Sequence, residues 1–135
     1  MINLGQPAKF FLFLILTHSC VSKNEEIVRD EKGNIIFKYE LKNGVRHGKC
    51  YQYYLNGTIA TISNWVKGVQ EGETISYYEN GSIKQSSMWK ENKANGECID
   101  YYENGTIKVK QYVINDQPTK REFYDEDGRL EKIHK

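Results

Sequence analysis

The sequence is poor in proline, in charge of a single sign and in long apolar runs. Proline occurs twice in 135 residues, whereas ten residues are tyrosine and 13% are aromatic. Such a composition is typical of strands rather than of helices or disordered chain. Lysine and arginine number 19 against 18 acidic residues, so the formal net charge is +1. Since no basic patch stands out, we expect no binding to nucleic acid through phosphate neutralisation.

Groups of residues that carry chemistry are also scarce. The three histidines, His18, His47 and His134, are far apart in the sequence, and a metal site needs three or four converging ligands. No Ser–His–acid, Cys–His or paired-carboxylate arrangement recurs along the chain. We therefore expect no enzymatic activity, no metal and no cofactor.

The N-terminal segment has a different character from the rest. Lys9 precedes an apolar run over residues 10–16, and small or polar residues follow. Seven apolar residues fall far short of the ~20 that span a bilayer as a helix. The order of charged, apolar and small residues predicts a secretory signal peptide over 1–19. The alternative is a buried N-terminal strand.

The remainder of the chain repeats itself. The phrase GETISYYENGSIKQSSMW at 72–89 has a near-copy before it, GKCYQYYLNGTIATISNW at 48–65, and another after it, GECIDYYENGTIKVKQY at 96–112. Gly48, Gly72 and Gly96 are 24 residues apart. A fixed period in this range indicates a repeat protein, in which each unit is one supersecondary element.

Each repeat predicts a β-hairpin, because an Asn–Gly pair lies between two alternating strand-like segments. The predicted fold class is all-β: an elongated single-layer antiparallel sheet of about ten strands, built from tandem ~24-residue β-hairpin repeats over residues 31–135. No helix is expected beyond the signal peptide. A sheet that curls more strongly is the alternative. The Asn–Gly or Asp–Gly pairs are at 56–57, 80–81, 104–105 and 127–128.

The predicted register starts from a pairing of Tyr54 with Ile59 across the turn, which places Trp65 opposite Gly48 and, on the next strand, opposite Gly72. Small residues accompany the tryptophans on that face. They are Cys50, Ser63, Thr74 and Ser87.

On the opposite face, the same register alternates tyrosine with lysine. Tyr53, Tyr77 and Tyr101 are expected there, with Lys84 and Lys108 between them. Tyrosine supplies contact area at low entropic cost, so these five residues form the candidate binding face. The alternative is that a single-layer sheet needs bulky side chains on both faces simply to shield its backbone.

The recurring Tyr–Tyr–Glu–Asn–Gly, followed by an aliphatic residue, resembles the bacterial variant of the MORN repeat, and the resemblance covers about residues 33–130. It implies hairpins that add side by side into one sheet and a non-catalytic binding or scaffold module. Some members of that family are antitoxin-like, so neutralisation of a partner toxin is the alternative function. A protein, a glycan or lipid head groups are the expected partners.

Residues 1–20 also resemble a bacterial lipoprotein signal, which implies lipidation of Cys20. Residues 20–30 then form a polar tether. By resemblance to the sorting rules of Gram-negative lipoproteins, the absence of Asp next to Cys20 predicts a lipid-anchored protein of the outer membrane.

Overall fold

The structure, a computed structural model, describes residues 24–134, and these residues form one open antiparallel β-sheet of ten strands. The predicted all-β sheet of tandem hairpins is confirmed. The strands are β1 (Glu25–Arg29), β2 (Ile35–Lys42), β3 (Val45–Tyr53), β4 (Ile59–Val66), β5 (Val69–Tyr77), β6 (Ile83–Lys90), β7 (Lys93–Tyr101), β8 (Ile107–Ile114), β9 (Gln117–Tyr124) and β10 (Leu130–His134).

Strand order in the sheet follows the order in the chain, from β1 to β10, so each strand pairs with its sequence neighbours. β1 lies within residues 20–30, which the sequence predicted as a polar tether. It pairs with β2 through Ile27↔Lys38 and Val28↔Phe37. The apolar pair Ile27–Val28 explains why this short segment joins the sheet. The predicted signal peptide and Cys20 lie outside the described residues.

The two ends of the strands turn differently. At the end that carries the Asn–Gly pairs, here called the loop end, the Tyr54 amide donates to the Thr58 carbonyl at 2.8 Å and Gly57 has a φ of +84°. The Asn56 side chain accepts bonds from both the amide and the hydroxyl of Thr58. The hairpins predicted from Asn–Gly are therefore present, with a loop longer than the two-residue minimum.

The opposite ends of the strands, here called the turn end, are joined by two-residue turns. Both turn residues have positive φ at each of these sites, which is the geometry of a type I′ turn. Such turns match the right-handed twist of the flanking strands and hold the hairpins in a fixed register. The turn pairs are Asn43–Gly44, Lys67–Gly68, Glu91–Asn92 and Asn115–Asp116.

The register confirms part of one predicted row and corrects the rest of it, together with a second row. Gly48 pairs with Trp65 as expected. Tyr54 does not pair with Ile59: Tyr53 does, because the register shifts between Gln52 and Tyr53. The same shift recurs in the next two hairpins. A bulge that changes the partner by one residue moves the following side chains to the other face.

A second bulge lies close to each two-residue turn. It explains why residues 48, 72 and 96 are glycine better than their predicted pairing with tryptophan does. Trp65 pairs with Gln70 rather than Gly72 on β5, because two extra residues fit between Gln70 and Thr74. Gly96 has a φ of +129°, and a Cβ there would lie 2.8 Å from the Cβ of Met88. Only glycine fits such a position without strain.

The sheet has no second layer, and no side chain among the described residues is fully buried. Six of the seven buried positions among the described residues form one row across neighbouring strands, and the seventh is Val113. That row consists of Tyr39, Cys50, Ser63, Thr74, Ser87 and Cys98. Trp65 and Trp89 each donate a hydrogen bond to the serine of this row two residues before them, so the two indoles lie beside the row.

Candidate binding groove

Paired residues of neighbouring strands share a face, so the register assigns the two faces directly. The face that carries Cys50, Ser63, Thr74, Ser87 and Cys98 is here called the groove face. The opposite one carries Tyr51, Ile62, Ile75 and Ile99 in one paired row and is here called the isoleucine face.

The structure brings two of the five predicted binding residues, Tyr77 and Lys84, to one cavity but does not form the predicted row. Tyr53, Tyr77 and Tyr101 pair with Ile59, Ile83 and Ile107, one in each repeat. By alternation along each strand, the three tyrosines follow the isoleucine face.

The lysines stand over other rings. Lys84 Nζ is 5.7 Å from the ring centre of Tyr78, and Lys108 Nζ is 5.4 Å from that of Tyr102. The predicted alternation of tyrosine and lysine in one row is wrong, because the bulge near the loop end displaces the register by one residue.

Three tyrosines at the loop end connect each repeat to the next. The hydroxyl of Tyr54 donates to the carbonyl of Tyr77 at 2.6 Å. The hydroxyl of Tyr78 donates to the carbonyl of Tyr101 at 2.7 Å. Tyr102 repeats the contact one period later. Burial raises the pKa of the Tyr102 phenol, which keeps the hydroxyl protonated and able to donate.

The turn end carries an equivalent set of bonds between repeats. The amide of Gly68 donates to the Arg46 carbonyl at 2.8 Å, and the amide of Asp116 donates to the Ala94 carbonyl at 2.9 Å. The indole N–H of Trp89 donates to Ser87 Oγ, two residues back on the same strand, at 2.9 Å. Neighbouring repeats are thus joined at both strand ends, and the indole orientation is fixed by a hydrogen bond.

Between these two ends, the groove face holds two adjoining cavities. The first, about 350 Å³, lies towards the loop end, and the second, about 250 Å³, lies towards the turn end. Both are lined by Gln85, so they adjoin at this side chain, and together they are here called the groove. The first is walled by Tyr54, and the second by Trp89.

Polar side chains on the groove floor are bonded to one another. Gln85 donates its amide to Asp100 Oδ1 at 2.6 Å, and the hydroxyls of Thr61 and Ser76 lie 3.3 Å apart. Burial raises the pKa of the Cys98 thiol, which therefore stays protonated. The floor offers amide, hydroxyl and carboxylate groups held in fixed positions.

Sequence reasoning missed this groove. Tyr54, Gln85 and Asp100 were not singled out as binding residues, although Gln85 and Asp100 occupy paired positions on β6 and β7. A comparison of the repeats position by position contains the signal. Ala60 occupies the position that Lys84 and Lys108 occupy in the following repeats.

Other classes of site are absent from the described part of the chain. Within residues 24–134, no three side chains of histidine, cysteine, aspartate or glutamate come close enough to hold a metal ion. No helix of that segment has the length and apolarity to cross a membrane.

An open sheet that grows by one hairpin per period, with a groove across it, defines a β-hairpin repeat protein. Three tandem segments, 46–67, 70–91 and 94–115, match the MORN repeat variant. Residues 46–115 therefore consist of MORN-variant repeats, as the Tyr–Tyr–Glu–Asn–Gly pattern indicated, and these repeats suggest a binding or scaffold module. No curated protein matches the chain.

Proposed function

We propose that this chain is a non-catalytic binding and scaffold module of the bacterial cell envelope, anchored to the outer membrane by a lipid on Cys20. The observation that supports the binding role is the groove face between two hydrogen-bonded strand ends. Because Tyr54 and Tyr78 each bond to the next repeat, the lining side chains keep their spacing when a partner arrives. A partner that docks on such a platform loses less entropy than one that must order a loop.

The charged groups of the groove are already engaged, which supports a non-catalytic role. Asp100 accepts a bond from Gln85, and Asp116 accepts one from the amide of Ala94. A general acid or base needs a pKa matched to its task and a reach to the reacting proton. These two carboxylates instead act as structural acceptors.

The binding role is tested by capture of partners from envelope extract with the full chain. Lys84→Glu/Lys108→Glu reverses two charges beside the loop-end tyrosines and is expected to weaken capture. The matched control is Lys67→Glu/Lys90→Glu, which makes the same charge change in two exposed lysines near the turn end. Equal capture by the wild type and both variants would exclude the two loop-end lysines from the docking surface.

The anchor is tested separately, because it does not depend on the groove. Metabolic labelling with a fatty-acid probe should mark the wild type and not Cys20→Ala, and the variant should leave the membrane fraction. Retained label and retained membrane association in Cys20→Ala would contradict the anchor. A captured cytoplasmic toxin, rather than an envelope partner, would favour the antitoxin-like alternative.

A further inference from the structure

The groove lies where one repeat has a different residue from the others at an equivalent position. The first such difference is at the loop end. In the second and third repeats, Lys84 and Lys108 cover the rings of Tyr78 and Tyr102. The first repeat has Ala60 at that position, which is too short to reach a ring. Among the described residues no cation covers Tyr54, and its ring lines the first cavity.

The second such difference is at the turn end. Arg46 in the first repeat stands over the ring of Trp65, with 5.4 Å from its guanidinium carbon to the ring centre. The following repeats have Gln70 and Ala94 at that position. Gln70 bonds instead to the hydroxyl of Thr74, so within residues 24–134 no cation covers Trp89. Ala94 then leaves the space that the second cavity occupies.

The two uncovered rings therefore line two adjoining cavities, with Tyr54 on the loop-end side and Trp89, on β6, on the turn-end side. The first cavity reaches from Gln52 on β3 to Asp100 on β7, and the second reaches from Gln85 on β6 to Arg121 on β9. From β3 to β9 the groove crosses six strand spacings, roughly 29 Å. Such a length fits a chain-like ligand rather than a single small molecule.

Charge in the groove is balanced. The first cavity contains Lys84 and Asp100, and the second contains Asp116 and Arg121, so each has one basic and one acidic group. A polyanion or a row of anionic head groups would meet as many carboxylates as cations. The balance favours a ligand without net charge.

The backbone also restricts the ligand class. An extended peptide gains much of its affinity by pairing its main chain with a free strand edge. The groove crosses β3 to β9, whose backbones are already paired on both sides. Recognition must come from side chains: flat rings for apolar faces, and the amides and hydroxyls of Gln85, Thr61 and Ser76 for hydroxyl groups. A sugar chain presents both kinds of surface along its length.

We propose that the groove binds an uncharged glycan chain, with one sugar stacked on Tyr54, another on Trp89, and the hydroxyls between them bonded to the floor around Gln85. This inference rests on the proposed binding function and specifies its ligand class. The first and second repeats supply most of the Tyr54 site, with Asp100 from the third. The second and third repeats supply the Trp89 site together with Asp116, Pro118 and Arg121 from the chain that follows.

The test titrates the full chain, purified in lauryldimethylamine oxide to avoid sugar-based detergents, with neutral hexasaccharides of β-1,4-linked glucose and of β-1,4-linked N-acetylglucosamine. The chain has two tryptophans, so Trp65→Phe leaves Trp89 as the only indole. Saturable change of Trp89 fluorescence is expected with at least one hexasaccharide. Trp89→Phe leaves Trp65, which stands outside the groove and should report no change. No saturable binding of either hexasaccharide would overturn the proposal.

Two substitutions close the groove with residues that the protein already uses at equivalent positions. Ala60→Lys should cover Tyr54, and Ala94→Gln should fill the second cavity. Each is expected to weaken hexasaccharide binding on the order of tenfold, the loss of one stacked contact, while circular dichroism stays that of the wild type. Undiminished sugar binding by both variants would refute the assigned groove. If both variants lose a captured protein partner and neither the wild type nor the variants bind sugar, the glycan inference fails and the binding function stands.

Discussion

Tyr78 should stabilise the array through its hydroxyl, whereas its sequence neighbour Tyr77 should not. The Tyr78 hydroxyl donates to the Tyr101 carbonyl of the next repeat at 2.7 Å in a partly buried site. The Tyr77 hydroxyl makes no side-chain hydrogen bond with the described residues, although its carbonyl accepts one from Tyr54. Tyr78→Phe and Tyr77→Phe remove the same atom from adjacent rings, so they form a matched pair.

The expected cost follows from the hydrogen bond alone, since the ring remains. A hydrogen bond contributes about 1 kcal/mol net to the free energy of unfolding. The Tyr101 carbonyl loses this donor in Tyr78→Phe but stays near the strand end. We expect Tyr78→Phe to lower the free energy of unfolding by about 1 kcal/mol and Tyr77→Phe by under about 0.3 kcal/mol. Equivalent tyrosines are two strand spacings apart, about 10 Å, so their effects should add. The triple change at Tyr54, Tyr78 and Tyr102 should therefore cost about 3 kcal/mol.

Urea unfolding followed by circular dichroism measures these differences, with the slope of the transition as a check on cooperativity. The triple variant should also unfold over a broader range, because stability in a repeat array depends on the interfaces between neighbours. Equal destabilisation by Tyr77→Phe and Tyr78→Phe would refute the assigned role of the hydroxyl. So would a triple variant as stable as the wild type.

Three further predictions concern the bulge, an ion pair and the thiols. Gly96→Ala should lower the free energy of unfolding by about 2 kcal/mol in urea, because the added Cβ would clash with the preceding strand. Gly81 has open space around it, so Gly81→Ala should cost only the strain of positive φ, about 1 kcal/mol, and equal costs would contradict the clash. Hydrogen bonds from a lysine and a tyrosine lower the pKa of Glu122 in the folded protein. Its contribution to the free energy of unfolding is therefore present above the unfolded pKa of about 4.3 and is lost as pH falls through the lower folded value. Glu122→Gln should reduce the loss of stability between pH 6 and pH 3 in urea titrations, and an unchanged loss would contradict the pairing. Burial raises the pKa of Cys50 and Cys98, so iodoacetamide at pH 8 should modify both only in urea; mass spectrometry showing native modification at the same rate would contradict their burial.

The hairpins and their order were predictable because each repeat carries its own turn chemistry. Asn56 and Gly57 specify the loop by a side-chain acceptor and a positive φ, and both requirements are visible in the residue types. The pairing of Gly48 with Trp65 followed from counting residues outward from that loop. Local sequence signals were sufficient to predict the structure where a single conformational requirement explains the residue type.

The assignment of faces failed because it depends on where bulges lie. The bulge between Gln52 and Tyr53 has no signature in the residue types. The sequence therefore does not show which tyrosine of the Tyr53–Tyr54 pair lies on which face. One extra residue then exchanges the roles of Tyr53 and Tyr54, and Lys84 moves to the side of Tyr78. In this register the Tyr78 hydroxyl reaches a carbonyl of the next repeat, 23 residues away in the chain, and such a long-range contact is not visible in the local sequence.

The repeated features and the candidate ligand site have different origins in this protein. Each loop-end tyrosine that bonds to the next repeat stabilises the extended sheet, so these residues reflect the architecture of the array rather than a particular ligand. The side chains of Ala60 and Ala94 have no such structural role, since the same backbone accommodates larger residues at these positions in other repeats. Their small size leaves Tyr54 and Trp89 uncovered. Specificity in a short array of this kind should therefore be sought where one repeat differs from its neighbours, because a ligand that read only the repeated residues would bind every register along the sheet equally.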